Sequence, residues 1–222
     1  MKLLKNEKGL GNFNFPRPIQ TRDNSITFFN EKYQESYHST TIGAIEEAEK
    51  KYVEPANLKE NSVILDFCFG LGYNSLAALM KLPRVKIIAI ENDKEILKQI
   101  QTIEVPEKYK EKYEIIKQVA KEKEFDNGKI KIKLILGDAE KEIEKLNQQF
   151  DAVFFDPFSP KKCPELWTEQ IFKNIFKLMK PNAILTTYSC AKEIRNNMKV
   201  AGFTIKDSAP IGRKAPGTVG IK

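Results

Sequence analysis

Apolar runs alternate with amphipathic stretches along the chain from residue 62 onward. Five runs are rich in branched and aromatic side chains and have the length of strands that are buried on both faces; they span residues 62–66, 85–90, 130–136, 151–155 and 183–188. Between them, residues 73–82, 93–103, 139–148 and 165–179 carry apolar side chains at helical spacing. This alternation predicts an α/β fold with a mostly parallel sheet and flanking helices.

The two ends of the chain and one internal segment depart from this pattern. Residues 1–24 are polar and predict a loose arm, followed by a short strand at 25–29 and a short helix at 43–53. A highly charged insertion lies near 104–129, with a helix expected at 107–122, and the tail predicts a final antiparallel strand pair. We therefore expect two regions. Residues 1–60 form an arm and short helix that pack on the ligand site, and residues 61–222 form a Rossmann-like domain.

Acidic side chains end four of the predicted strands. They are Asp66, Glu91, Asp138 and Asp156. Because ligands of an open α/β sheet lie beyond the carboxyl ends of its strands, this shared position predicts a binding site at that edge. The loop after the first strand contains Gly70 and Gly72, whose backbone can approach a ligand closely, and Asn74 follows at the start of a helix.

These residues indicate a nucleoside cofactor without phosphates. Glu91 lies 19 positions after Gly72, close to the spacing of the ribose-binding acid in dinucleotide folds. Asp138 is placed to accept from an adenine amino group, or equally to cap its own helix. The acidic edge disfavours a phosphate-rich ligand, and no P-loop motif is present. S-adenosylmethionine, a cationic nucleoside, fits best, which predicts a class I methyltransferase with a mostly parallel, seven-stranded sheet.

The segment after the fourth strand reads Asp-Pro-Phe-Ser-Pro over residues 156–160. Asp156 and carbonyl groups stiffened by proline can hold an amine, and Phe158 can stack on a planar base. Methyl transfer from a sulfonium depends mainly on alignment, with Asp156 or water taking the proton of the amine. The structural alternative is a rigid turn between strand and loop.

Composition limits the chemistry further. The chain has one histidine and three scattered cysteines, which fits neither a multi-histidine metal site nor a disulfide framework, so no metal is expected. There is no apolar run of about 18 residues and no signal-peptide pattern, so we expect a cytoplasmic protein without membrane contact. The net charge of +7 is consistent with solubility alone or with a polyanionic partner such as RNA.

Several longer motifs resemble the methyltransferase modules of the MnmC family of tRNA wobble-uridine modification enzymes. The similar segments are 29–39, the GxxEE helix start at 43–48, the FGxGxN loop at 69–74, the DxFxPxxxPxxW signature at 156–167, and closing motifs at 202–203 and 212–214. The resemblance runs from about residue 25 to 220. One departure is Cys68, which stands where the loop usually has its first glycine.

This resemblance implies methyl transfer from S-adenosylmethionine to the exocyclic amine of 5-aminomethyl-(2-thio)uridine at tRNA position 34. It places the amine at Asp156 and the cofactor at the glycine loop, Glu91 and Asp138, with Tyr33, Tyr37 and His38 at the cofactor mouth. Further substrate contacts expected around the pocket, to the base and to the anticodon stem-loop, are Phe158, Lys161, Arg213 and Lys214. The family's fused form carries an FAD-dependent oxidase module, so we expect a stand-alone, monomeric methyltransferase here.

Two other functions remain open from the sequence. A polyamine aminopropyltransferase shares the expected fold and an acidic amine pocket, although the 156–167 signature argues against it. A non-catalytic RNA-binding module would explain the positive charge. It would not require the intact series of acids at Glu91, Asp138 and Asp156.

Overall fold

The computed structural model describes residues 17–211 and 215–222. Its N-terminal part is a small antiparallel sheet in the order β1-β2-β3, formed by β1 (Arg17–Gln20), β2 (Ile26–Asn30) and β3 (Glu35–Ser36). The expected loose arm is therefore wrong for residues 17–20, because this segment pairs with β2 in regular register. Helix α1 (Ala44–Glu47) follows and continues as a π-helix over Ala48–Val53.

The start of α1 is held by Asp23 from the turn before β2. Its Oδ2 accepts from the backbone N–H groups of Ile45 and Glu46, at 3.1 and 2.9 Å. Gly43 precedes the helix with a φ of 126°, and a Cβ there would lie 2.4 Å from the Asp23 carboxyl carbon. Glycine is thus required by both the backbone angle and the close approach of Asp23.

The central sheet has eight strands within the described residues, in the order β10-β11-β9-β8-β4-β5-β7-β6. The strands are β4 (Val63–Phe67), β5 (Val85–Glu91), β6 (Glu124–Asp126), β7 (Ile130–Leu136), β8 (Phe150–Phe155), β9 (Met179–Thr187), β10 (Thr204–Asp207) and β11 (Thr218–Ile221). Strands β7, β5, β4, β8 and β9 pair in parallel, while β11 pairs antiparallel with both β9 and β10, and β6 pairs antiparallel with β7. Strand β10 therefore runs in the same direction as the parallel strands.

The expected count of seven strands is one too low. The additional strand is β6, three residues at the end of the charged insertion, which pairs with β7 across a turn at Gly128. It is only three residues long and contains one apolar side chain, Phe125, between two exposed acids, so sequence periodicity does not reveal it. The final antiparallel pair predicted for the tail is present as β10 and β11.

Helices cover both faces of this sheet. They are α2 (Tyr73–Lys81), α3 (Lys94–Gln99), α4 (Lys110–Glu122), α5 (Ala139–Lys145), α6 (Glu169–Leu178) and α7 (Lys192–Ala201). Successive side chains of β5 point to opposite faces of the sheet. Ile87 and Ala89 pack with α1 to α4, whereas Ile88 and Ile90 pack with α5 to α7. The result is a three-layer fold that leaves the carboxyl edge of the parallel strands open to the N-terminal segment. No helix in the described ranges has the length and apolarity that a membrane crossing needs.

Candidate active site

A cavity of about 980 Å³ lies at the carboxyl edge of the parallel strands. Its floor is formed by the ends of β4, β5 and β8, and the N-terminal segment over residues 30–42 covers it. Of the residues predicted from the sequence, Tyr33, Tyr37, Gly70, Glu91, Asp156 and Phe158 line this cavity. Cys68 and His38 line it as well.

The loop after β4 makes a tight turn into α2. Cys68, Gly70 and Gly72 all have positive φ, of 69°, 53° and 74°. A Cβ on Gly72 would lie 2.5 Å from Ile116 Cγ2, so this glycine serves the packing of the loop on α4 and does not line the cavity. A Cβ on Gly70 would meet Tyr37 at 3.4 Å on the side of the N-terminal segment. Cys68 shows that the loop tolerates a small side chain at the first glycine position.

Glu91 at the end of β5 is buried and fixed by backbone donors. Its Oε2 accepts from Gly70 N at 2.7 Å, and its Oε1 accepts from Asn92 N and Asp93 N at 2.8 Å each. Burial raises the pKa of Glu91, and the backbone hydrogen bonds counteract this rise. The carboxylate is therefore held in one orientation at the cavity wall, with one lone pair remaining, on Oε2, for a hydroxyl group of a ribose.

Aromatic side chains join the N-terminal segment to the loop after β8. Tyr33 stacks on Phe158 with ring centroids 4.5 Å apart, and Tyr37 meets the same ring at 4.9 Å. The Tyr37 hydroxyl donates to Asp93 Oδ2 at 2.7 Å. Ser159 N donates to Glu35 Oε2 at 3.0 Å. The segment that covers the cavity thus contacts the ends of both β5 and β8.

Asp156, directly after β8, receives two side-chain hydrogen bonds. Tyr52 from the π-helix donates its hydroxyl to Oδ1, and Asn74 from α2 donates to Oδ2 at 2.9 Å. Burial raises the pKa of Asp156 well above its ordinary value, and the neighbouring Glu47 charge adds to this, while the two donors oppose it. Beside it, the Tyr188 hydroxyl donates to the carbonyl of Pro157 at 3.1 Å. A carboxyl group with a raised pKa at a cavity wall binds a proton more tightly than an exposed carboxyl group does, which suits it to the role of a general base.

Other predicted cofactor residues lie elsewhere. Asp66 is fully buried beneath the loop, where Ser75 Oγ donates to its Oδ2 at 2.6 Å, and it does not line the cavity. Asp138 caps α5 by accepting from Glu140 N, and its neighbours Gly137 and Ala139 line the cavity in its place. Asn74 also lies behind the wall, where it acts through its hydrogen bond to Asp156.

The predicted substrate contact Lys161 lies apart from the cavity. Lys161 is exposed and does not line the cavity. Arg213 and Lys214 lie outside the described residues, so the closing motif of the sequence stays a prediction.

The sequence reasoning did not predict every residue of the cavity wall, and those it missed include Glu35, Glu47, Lys51 and Tyr188. Tyr52 was missed as the partner of Asp156. Glu47 belongs to the GxxEE motif, which the sequence placed on a helix without a role. For Lys51 and Tyr52 no sequence signal was available, because a π-helix carries them to the cavity side.

The residues present fit S-adenosylmethionine. Glu91 and Asp156 offer acceptors toward a cofactor that carries positive charge, and Glu91 is placed for one of its ribose hydroxyl groups. A polar atom buried near the site, His38 Nε2, has no hydrogen-bond partner within the described part of the chain. Burial lowers the pKa of His38 to about 4, so it is neutral. No cluster of three or more potential metal ligands occurs among the described residues.

The strand order and the acidic cavity at the carboxyl edge define a class I S-adenosylmethionine-dependent methyltransferase. Residues 101–222 match the family model described as an S-adenosyl-L-methionine-dependent methyltransferase. The crystal structure of MNMC2 from Aquifex aeolicus is similar at 35% sequence identity with a TM-score of 0.84, over 94% of this chain and 71% of that one. The chain belongs to this MnmC2 family of methyltransferases, as the sequence motifs indicated.

Curated relatives are longer than this chain. An uncharacterized protein of Methanocaldococcus jannaschii is 35% identical over 92% of the chain, which spans 59% of that relative. The tRNA 5-methylaminomethyl-2-thiouridine biosynthesis bifunctional protein MnmC of Ralstonia nicotianae is 28% identical over 87% of the chain, which spans 32% of it. The chain thus spans about three fifths or less of the length of these relatives.

Proposed function

We propose that this protein methylates the exocyclic amine of a 5-aminomethyl-(2-thio)uridine at the wobble position of tRNA and so forms the 5-methylaminomethyl nucleoside. The observation that carries the proposal is Asp156, a carboxyl group with a raised pKa, two side-chain donors and an open path to the cofactor cavity. The names of the MnmC relatives supply the substrate class.

The acceptor must reach the cofactor as a neutral amine. Bound S-adenosylmethionine supplies a methyl group that is already activated by its sulfonium. A primary alkylamine has a pKa near 10 in water, so it arrives as an ammonium ion. Asp156 accepts one N–H of the amine and takes its proton, which leaves the nitrogen lone pair free to face the methyl group. Because burial and the Glu47 charge raise the pKa of Asp156, its affinity for the proton is greater than that of a surface carboxylate.

Tyr52 and Asn74 orient the carboxyl group for this step. They bind one oxygen each and lie behind the wall, so both Asp156 oxygens are fixed while the cavity side stays open. Burial raises the pKa of the Tyr52 phenol well above its ordinary value, so the phenol remains a neutral donor. Fixed geometry is the main contribution of a protein to a transfer of this kind.

The nucleic-acid side of the proposal rests on the loop after β8 and on charge. Phe158 is half-buried between Tyr33 and Tyr37, where a planar base displaced from its stack can contact the aromatic cluster. Lys161 and Lys162 follow on the same loop and are exposed. We expect them, with Arg213 and Lys214, to contact phosphates of the anticodon stem-loop, which makes binding dependent on salt.

The test uses tRNA from cells that lack this modification, incubated with methyl-labelled S-adenosylmethionine and then digested to nucleosides for mass spectrometry. Label is expected in the 5-methylaminomethyl nucleoside. The variant Asp156→Asn keeps the shape of the side chain but not the proton acceptor, so its rate should fall by about 100-fold or more. Asp126→Asn, at an exposed aspartate on β6, is the matched control and should keep the wild-type rate.

Two results would refute the proposal. One is label in a different nucleoside or no label in tRNA at all, with cofactor binding intact by calorimetry. The other is a wild-type rate for Asp156→Asn, which would remove this carboxyl group from the reaction.

A further inference from the structure

A buried ion pair lies in the cavity wall beside Asp156. Glu47 ends α1 and Lys51 lies one turn later in the π-helix, with Lys51 Nζ 3.7 Å from Glu47 Oε1. Their side chains are only 12% and 8% exposed, and both residues line the cavity. The neighbouring pair Lys50 and Glu54 faces outward at 2.6 Å, with about half of each side chain exposed. The two pairs share one spacing, i to i+4, and differ in their surroundings.

In the buried pair of Glu47 and Lys51, the hydrogen-bond donors of Lys51 lack partners in the described part of the protein. At 3.7 Å the Lys51 ammonium is within ion-pair range of Glu47 but beyond hydrogen-bond length. Within the described residues Lys51 Nζ makes no hydrogen bond, whereas Glu47 Oε2 accepts from Ser39 N at 3.0 Å. The Lys51 side chain lines the cavity, so its ammonium faces this space. Its three N–H donors are therefore available to an acceptor in the cavity.

The local backbone explains why Lys51 faces inward. Over Ala48–Val53 the helix widens to a π-helix, with Glu54 N donating to Glu49 O five residues earlier. Lys51, Tyr52 and Val53 are consecutive in this turn and are all buried. Single π-helical turns often occur at functional sites, because they bring an additional side chain to one face.

Charge identifies the acceptor. Three lysines line the cavity among the described residues, and two of them, Lys32 and Lys94, are exposed at its rim. Lys51 is the buried one. The other buried ionisable side chains that line the cavity are the acids Glu47 and Glu91, the neutral His38 and the thiol of Cys163. S-adenosylmethionine has two cationic groups, the sulfonium and the α-ammonium, and one anion, its α-carboxylate. A buried cation among acids complements that single anion.

We propose that Lys51 binds the α-carboxylate of the cofactor, beside Glu47, and that this contact makes the cavity select a donor that carries the carboxylate. The inference concerns the cofactor alone and does not depend on the tRNA substrate. It also separates this site from aminopropyl transfer, since the aminopropyl group is the 3-amino-3-carboxypropyl group of S-adenosylmethionine without its carboxylate. Lys51 thus determines whether the cavity prefers S-adenosylmethionine to its decarboxylated form.

The experiment measures binding by calorimetry, without tRNA and without turnover. The two probes are S-adenosylhomocysteine and its decarboxylated form, which differ only in the carboxylate. A hydrogen-bonded contact between charges predicts that the wild-type protein prefers the carboxylated probe by about 10- to 100-fold. Lys51→Met should lose this factor for the carboxylated probe and keep the wild-type affinity for the other. Lys51→Arg should retain most of the preference.

Lys50→Met, at the exposed pair one residue away, is the matched control and should bind both probes as the wild-type protein does. Equal weakening of both probes by Lys51→Met would show a structural role and overturn the proposal, as would no weakening of either. If Lys51→Met does not fold, as judged by circular dichroism, the wild-type protein and Lys51→Arg decide: the absence of a preference for the carboxylated probe in both overturns it. Because the binding measurements use no tRNA, they test the role of Lys51 even if the protein does not methylate tRNA.

Discussion

The clearest quantitative prediction concerns Asp66, the buried carboxyl group beneath the glycine loop. Its side chain has no solvent exposure and accepts from Ser75, whose Oγ donates to Oδ2, while Oδ1 has no partner within the described structure. Burial raises its pKa from 3.8 to about 7, and the Ser75 hydrogen bonds oppose this rise. The folded protein therefore favours the protonated form, whereas the unfolded chain ionises in the usual way.

The sign of the effect on stability follows directly. Between pH 3.8 and about 7 the folded state holds a proton on Asp66 that the unfolded state has released. Holding this proton adds to the free energy of unfolding. The contribution is fully present below pH 3.8, the pKa of the unfolded chain, and is lost as the pH rises through about 7, the pKa of the folded state. Each pKa unit corresponds to about 1.4 kcal/mol. The loss is thus about 3 kcal/mol between pH 5 and pH 8, because about two pKa units separate pH 5 from the folded-state pKa of about 7.

Asp66→Asn removes this titration and keeps the carbonyl that accepts from Ser75. Its free energy of unfolding relative to the wild-type protein should rise by about 3 kcal/mol from pH 5 to pH 8. Urea unfolding at several pH values measures this difference, and any constant cost of the new amide group cancels. The exposed Asp126, whose pKa is lowered by its hydrogen bond to Lys131, is the control, and Asp126→Asn should show no such rise. A difference for Asp66→Asn that does not change with pH would refute the reasoning.

Two further substitutions test the local geometry. Tyr52→Phe removes one donor to Asp156, so we expect the methylation rate to fall by about 10-fold with an unchanged dissociation constant for the cofactor; an unchanged rate would contradict the orienting role. Gly72→Ala places a Cβ 2.5 Å from Ile116 at positive φ and should lower the melting temperature by several degrees. Gly128 also has a positive φ, but a Cβ there has no neighbour within 4 Å, so Gly128→Ala measures the backbone strain without a clash. An equal fall in melting temperature in both variants would refute the contribution of the clash.

The apolar pattern was sufficient to place the central strands. The run at 130–136 became β7 with the same bounds, and the other four strands shifted by between one and four residues at an end. These strands are buried on both faces, so their side chains are selected for apolarity at nearly every position. The small strand β6 lies at the sheet edge, where only Phe125 of its three residues is half-buried and the two acids are exposed.

The four acids at the strand ends predicted which edge of the sheet holds the site, but not which way each side chain points. Glu91 and Asp156 face the cavity, whereas Asp66 points beneath the loop and Asp138 caps its own helix. All four positions follow from parallel strands in register. Which way each carboxyl group turns depends on local donors: Ser75 Oγ for Asp66, and the first free N–H groups of α5 for Asp138.

The contacts that build the site join distant parts of the chain, and this explains why sequence reasoning found their members only singly. Tyr37 binds Asp93, Glu35 binds the backbone at Ser159, and Tyr52 binds Asp156, across 56, 124 and 104 residues. No periodicity or spacing within one element encodes such pairs. The N-terminal segment has short strands and an exposed polar surface, so its own pattern is weak. Its position is set by these partners on the edge of the sheet, and the cofactor cavity exists only because that edge is covered.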